Sequence, residues 1–295
     1  MSPSRNPHQG RAMLTMLVAV AMFALMDAGL KQLSTHYPPL QVASLRGAAS
    51  LPLVLVWALA TGGLAPLLRV RWSLHLLRGV LGVAMMATFV FAVSKLPLST
   101  TYSIFFVAPL MITALSVPFL GEKVGPRRWT AIVIGLIGVI VLLRPTGQGM
   151  GSLAALAVLV AAVMYAISAI TVRILARTDS TQSMMVWLMA MIALGAGALA
   201  WPEWVAIRRE DLWLIAGIGV AGALGQYAIT EAFRMGEASA IAPLEYTALV
   251  WGVLFDLTFW GVLPDAITWL GAAIIVASGL YLIRREKVHV EAEHP

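Results

Sequence analysis

Apolar runs of about twenty residues recur ten times along this chain of 295 residues, separated by short polar joins. A helix needs about 20 residues to cross a hydrocarbon core of roughly 30 Å. In lipid a spanning segment must satisfy its backbone polar groups internally, which a helix does. The runs therefore predict an all-α integral membrane protein of ten transmembrane helices. The expected spans are 12–34, 39–61, 73–95, 97–120, 126–144, 150–174, 181–201, 211–234, 237–261 and 264–284. Pro and Gly mark the joins, among them Pro38, Pro39, Gly62, Gly63, Pro97, Gly121, Pro126, Pro145, Gly147, Pro202 and Pro264. They end helices by removing a donor or freeing φ. Only 12% of residues are charged and 60% are hydrophobic, against about 25% charged in soluble domains.

The net charge of +6 does not point to nucleic acid. Lys and Arg sit singly or in pairs at the ends of apolar runs, where they set orientation. With the N-terminus inside, fourteen of the twenty basic residues fall on the cytoplasmic side, including Arg69, Arg71 and Arg78. Five fall outside, and Arg46 lies within span two. Both termini are thus expected in the cytoplasm. The apolar stretch after Arg11 is too long for the core of a signal peptide, so it reads as an uncleaved first helix. The chain has no cysteine, which excludes disulfides and thiolate metal sites.

The chain also repeats itself. An offset of 140 lays spans three to five on spans eight to ten: Gly82 on Gly222, Ala108 on Ala248, Gly121 on Gly261, Trp129 on Trp269. An offset of 142 lays span one on span six, with Met22-Phe23-Ala24 on Met164-Tyr165-Ala166. The expected division is 1–145 for the first five-helix repeat, 146–286 for the second and 287–295 for a cytoplasmic tail. A unit with an odd helix count re-enters the membrane upside down, so the copies are inverted repeats. That device recurs in secondary transporters, where the two halves rock about a central site.

The segment 96–145, LPLSTTYSIFFVAPLMITALSVPFLGEKVGPRRWTAIVIGLIGVIVLLRP, resembles the EamA repeat of the drug/metabolite transporter (DMT) superfamily. So does the run from Ala242 to Glu286 in the second half. Gly121-Glu122 closing span four and Trp129 in span five look like that repeat's signature; the second copy keeps Gly261 and Trp269 but has Val262 for the acid. The resemblance implies a multi-pass protein of the bacterial inner membrane with a central cavity. It also implies a small-molecule substrate: amino acids for exporters of the YddG type, or riboflavin or S-adenosylmethionine for importers.

Buried polar residues are the candidate site, because a charge at mid-bilayer costs about 3 kcal/mol and normally faces the bundle interior. Asp27 either pairs with Lys31 one turn away or meets a substrate amine. Arg46 either binds a substrate carboxylate or pairs with Asp27 or Asp256. Glu245 and Tyr246 follow Pro243 early in span nine, and Glu245 is the first candidate for a protonatable or amine-binding group. Asp256, three turns on, is expected on the same face, as part of a cavity wall. Gln226 is a further cavity candidate. Tyr102, Tyr165 and Trp251 are candidates for stacking on a flat substrate.

No Walker A, HExxH or GxSxG motif is present. No catalytic residue, metal site or cofactor is therefore expected, and the chain is not read as an enzyme. A membrane enzyme acting on lipid-linked substrates and a membrane scaffold are the rival classes. The expected partners are a small molecule and the bilayer, with no nucleic acid. The sequence does not set an oligomeric state, and a monomer is compatible with it.

Overall fold

In a computed structural model, residues 7–121, 124–143, 150–235 and 242–293 are described. They are helical almost throughout, and no strand occurs among them. The helices are α1 (Pro7–Leu33), α2 (Pro39–Gly62), the short α3 (Ala65–Leu68), α4 (Trp72–Lys95), α5 (Leu98–Phe105), α6 (Ala108–Leu120) and α7 (Pro126–Leu143). The second half holds α8 (Met150–Leu175), α9 (Thr181–Ala200), α10 (Leu212–Met235), α11 (Ala248–Trp260) and α12 (Ala266–Glu293), with a 3₁₀ segment Ala242–Thr247 before α11. Seven segments are long and apolar enough to cross a membrane among the described residues, and Ala266–Tyr281 is a shorter apolar one. Glu122, Pro145 and Gly147, singled out above, lie outside the described residues.

Several boundaries differ from the sequence expectation: α1 already begins at Pro7, and span nine, expected over 237–261, is described as the 3₁₀ segment Ala242–Thr247 followed by α11 from Ala248. Span four is broken into α5 and α6 around Phe106 and Val107. Pro109 causes this: it has no N–H to give, and its ring crowds the carbonyl four residues back. The last helix runs on to Glu293 instead of ending near residue 284. Its polar end is rich in Arg, Glu, Lys and Ala, good helix formers that need no apolar partner.

The two halves match at specific residues. Helices α6 and α11 start at Ala108 and Ala248 and end on Gly121 and Gly261, which have φ of 71° and 64°. A left-handed residue there lets the last carbonyls find donors: the Gly261 and Val262 N–H groups donate to the Leu257 and Asp256 carbonyls. Helix pairing follows the same symmetry. α1 packs on α10 as α8 packs on α4, while α2–α9, α5–α11 and α7–α12 each pair matching spans of the two halves.

Small residues let these helices touch backbone to backbone. A Cβ on Gly47 of α2 would lie 2.7 Å from the Ala193 nitrogen of α9. On Gly219 of α10 it would lie 2.6 Å from the Ala49 carbonyl oxygen. Gly222 packs against the side chains of Met26 and Ser50 and Gly225 against the Phe23 ring, whereas Gly217 faces open space. The outward faces carry large apolar side chains, such as Val56, Val80, Leu194 and Val250, each about two-thirds exposed or more (67%, 68%, 74% and 67%). That is the surface a lipid environment requires.

Two polar ties join the halves, one at each end of α2. At its N-terminal end the Tyr37 hydroxyl donates to the Asp211 carboxylate at 2.7 Å, and His36 Nδ1 lies 3.1 Å from the same oxygen. At the other end, next to the Thr61–Gln182 contact, Asp179 accepts from the Arg71 N–H at 3.0 Å and meets His75 Nε2 at 2.9 Å. The offset of 142 maps Tyr37 onto Asp179, and the offset of 140 maps Arg71 onto Asp211. The same join in each half thus grips the start of the matching helix in the other. The 24 residues of α2 separate the two ties by about 35 Å. Equivalent contacts at opposite ends mean that the halves run in opposite directions.

Candidate functional site

The buried polar residues fall into three groups. In the first, Tyr102 of α5 donates its hydroxyl to Asp27 Oδ2 of α1 at 2.9 Å, both side chains being buried. Lys31 turns away from Asp27: its ammonium donates to the Leu96 carbonyl and lies 4.9 Å from the centre of the Trp260 ring. The i,i+4 pair open from sequence is therefore not formed. Arg46 acts on Asp27 through space, but the two are not within ion-pair distance.

Asp256 has a different role from the cavity wall read in the sequence. It is 1% exposed. Its Oδ1 accepts from the Leu98 N–H at 2.9 Å, and its Oδ2 accepts from the Ser99 N–H at 2.8 Å and the Ser99 hydroxyl at 2.6 Å. Helix α5 starts behind Pro97 with no capping side chain of its own. Asp256 supplies that cap from the other half, satisfying N–H groups that a helix start leaves without partners.

The second group surrounds a cavity of about 30 Å³, room for about two waters, between α2, α4, α9 and α10. Arg46, Ser50 and Arg78 face it from the first half; Met185, Leu188 and Gln226 face it from the second. In the sequence Arg78 has only the look of an orientation charge, because it lies near the start of span three. Its Nη1 donates to the Met184 carbonyl at 2.6 Å, and its Nε is buried without a partner. An apolar groove of about 260 Å³ adjoins the cavity, sharing Val54 and Met185 and continuing along Trp57, Val220 and Tyr227.

The third group is Glu245, Tyr246, Tyr165 and Trp251. Glu245 lies half-buried in the 3₁₀ segment and has no hydrogen-bond partner among the described residues. It does not share a continuous helix face with Asp256, because α11 starts only at Ala248. The Tyr165 ring packs on Phe105 at 5.4 Å and feels both Glu245 and Arg78 electrostatically. Tyr246 turns into the packing: its ring meets Phe106 at 4.9 Å and its buried hydroxyl abuts Gly279 without a partner. Trp251 packs on Phe255 at 5.8 Å and against the small residues of α1 and α10.

The structure thus brings Arg46, Gln226 and the unforeseen Arg78 to one cavity, and Asp27 and Tyr102 into one hydrogen bond. In the third group Tyr165 lies near both Glu245 and Arg78. A sequence signal for the end ties existed in the repeat offsets, which align their members.

The EamA-like transporter family model matches residues 10–144 and again 152–285. The chain belongs to the EamA-like transporter family. It is a two-repeat, multi-pass membrane protein of the DMT superfamily. A riboflavin transporter of Vibrio cholerae is 32% identical over 97% of this chain and 96% of its own. The pseudopaline exporter CntI of Pseudomonas aeruginosa is 26% identical over 93% of this chain and 96% of its own. An S-adenosylmethionine uptake transporter of Rickettsia conorii is 29% identical over 76% of each chain. A solved crystal structure covers 94% of this EamA chain and 99% of its own with a TM-score of 0.64 and 20% identity. That likeness bears on the fold alone.

Proposed function

We propose that this EamA protein is a secondary transporter of small metabolites in the bacterial inner membrane, with ten spans and both termini in the cytoplasm, and not an enzyme. The repeats meet near residues 145–146. The observation that carries the reading is the matched pair of ties, Tyr37–Asp211 and Asp179–His75, at opposite ends of two repeats of a transporter family. Between them lies a cavity lined by both halves. Releasing one tie while the other holds opens that cavity to one side of the membrane only, which is the requirement of alternating access.

Substrate contacts in this reading come from Arg46, Arg78, Gln226, Asp27, Tyr102, Tyr165 and Glu245, with Glu245 the proton carrier if transport is coupled to protons. Asp256, Tyr246 and Trp251 shape the path without touching substrate. Export of amino acids is the first reading. Import of a vitamin or nucleoside-like metabolite is the second, favoured by the relatives named for riboflavin and S-adenosylmethionine. Flux of labelled amino acids, riboflavin and S-adenosylmethionine in proteoliposomes of known orientation tests both. Saturable flux of one class, abolished by locking Tyr37 to Asp211 with an engineered disulfide, supports the proposal. Flux unaffected by that lock counts against alternating access.

A further inference from the structure

We infer that Arg46 and Arg78 together form an anion subsite on the transport path, receiving the acidic group of an organic anion whose apolar body lies in the adjoining groove. The inference rests on the transporter reading for its purpose but on the cavity for its chemistry.

Two guanidiniums face one cavity between the halves. Each offers five N–H donors in a planar fork suited to carboxylate or phosphate oxygens. The surrounding protein uses few of them. Arg46 has one contact, Nε to the Met26 sulfur at 3.3 Å. Arg78 has one, Nη1 to the Met184 carbonyl, and its buried Nε has none. No carboxylate lies within ion-pair distance of either among the described residues. Asp27, which Arg46 feels, already accepts from Tyr102.

Two like charges facing one small cavity with no carboxylate in contact with either are unfavourable inside a membrane protein, and a stable fold retains such an arrangement when something else supplies the negative charge. Ser50 and Gln226 add neutral hydrogen-bonding groups to the same wall. The cavity has room for about two waters, enough for an acidic group and too little for a whole metabolite. The contiguous groove, lined by Leu53, Trp57 and Leu224, takes the rest. The charge comes from helices of the first half and the apolar walls mostly from the second, so an occupant engages both halves at once.

The test uses the purified full-length chain in detergent, with phenylacetate, its neutral analogue phenylacetamide and phosphatidylglycerol as separate probes, read by thermal unfolding. Phenylacetate should give saturable stabilisation and phenylacetamide none. R46Q and R78Q should each weaken the apparent affinity by about tenfold or more, with R46K and R78K intermediate. If a Gln variant does not fold, Q226L alters the cavity wall with all charge retained and should also shift the affinity. Equal responses to acid and amide, or unchanged affinity in the folded variants, overturn the inference. A response to phosphatidylglycerol alone overturns it too and assigns the arginines to a lipid headgroup. Acid binding without flux of any metabolite removes the proposed function and leaves the subsite. Flux untouched by both arginine variants does the reverse.

Discussion

Asp256 of α11 caps the helix that begins at Leu98, accepting the Ser99 N–H and hydroxyl at 2.8 and 2.6 Å with its Oδ2. Replacing Asp256 by Ala leaves two buried backbone donors and a hydroxyl unsatisfied at the start of α5. Each orphaned donor costs about 1–3 kcal/mol, so the variant should lose on the order of 3 kcal/mol or more. Asn keeps one acceptor oxygen and should lose about half as much. Thermal unfolding in detergent ranks the two. An Asp256→Ala variant as stable as the parent removes the capping role.

Tyr246 and Gly279 give a prediction of opposite sign. The Tyr246 hydroxyl is buried without a partner. Phe at this position deletes an unsatisfied polar atom and should be neutral or stabilise by up to about 1 kcal/mol. Gly279→Ala would drive a Cβ into that hydroxyl oxygen, so the Tyr246 side chain or α12 must shift. It should destabilise by about 1–3 kcal/mol. Tyr246→Phe combined with Gly279→Ala should recover part of that loss, because the nearest clashing atom is gone. A double-mutant cycle that is additive would mean the two residues do not meet.

These two cases show what the sequence carried and what it withheld. Hydropathy and Pro/Gly punctuation located the helices because both report on one segment at a time. The repeat offsets were legible because Gly121 and Gly261 must both take positive φ. The use of each buried charge was not, since it depends on which helix lies opposite. Asp256 reads as a cavity acid until α5 is seen to start beside it. Arg78 reads as an orientation charge until α4 is seen to place it at the cavity of Arg46. Tyr246 reads as a substrate-site residue beside Glu245 until α12 is seen to cover it.

The Asp179 tie, at the C-terminal end of α2, sets a pH dependence. Burial pushes the Asp179 carboxyl up, but hydrogen bonds from Thr178, the Arg71 N–H and His75, with the charge of His75, hold it below the usual 3.8 overall. A carboxylate with a depressed folded pKa adds stability that is fully present above its unfolded pKa and is lost as pH falls through the folded one. The contribution should therefore persist at neutral pH and disappear only below about pH 3.8. Asp179→Asn should lower the unfolding temperature at pH 7 and flatten the part of the profile below pH 4. A variant profile parallel to the parent across that range would exclude the tie as its source.

Glu245 is the half-buried acid without a hydrogen-bond partner in the described structure. If it carries the coupled proton, Glu245→Gln should leave the fold intact while abolishing acceleration of flux by a pH gradient. Exchange of substrate without a gradient should survive, because neutral Gln mimics the protonated carboxyl. Vesicles with an imposed pH step measure both. Unchanged gradient dependence in Glu245→Gln would assign coupling elsewhere.

The two end ties predict opposite conformational biases. Tyr37→Phe removes the hydroxyl that binds Asp211, and His75→Gln weakens the grip on Asp179, at ends of α2 about 35 Å apart. Each loosens one closure and leaves the other in place, so each should raise the population open at its own end. A lost hydrogen bond of about 1–1.5 kcal/mol shifts such an equilibrium by roughly five- to tenfold. The chain contains no cysteine, so a single cysteine at Ser50 beside the cavity is a clean reporter. A membrane-impermeant thiol reagent should label it faster from the Tyr37 side in Tyr37→Phe and faster from the His75 side in His75→Gln. Labelling that rises from the same side in both variants would contradict an exchange between two inward-leaning and outward-leaning halves. It would point instead to a general loosening of the bundle.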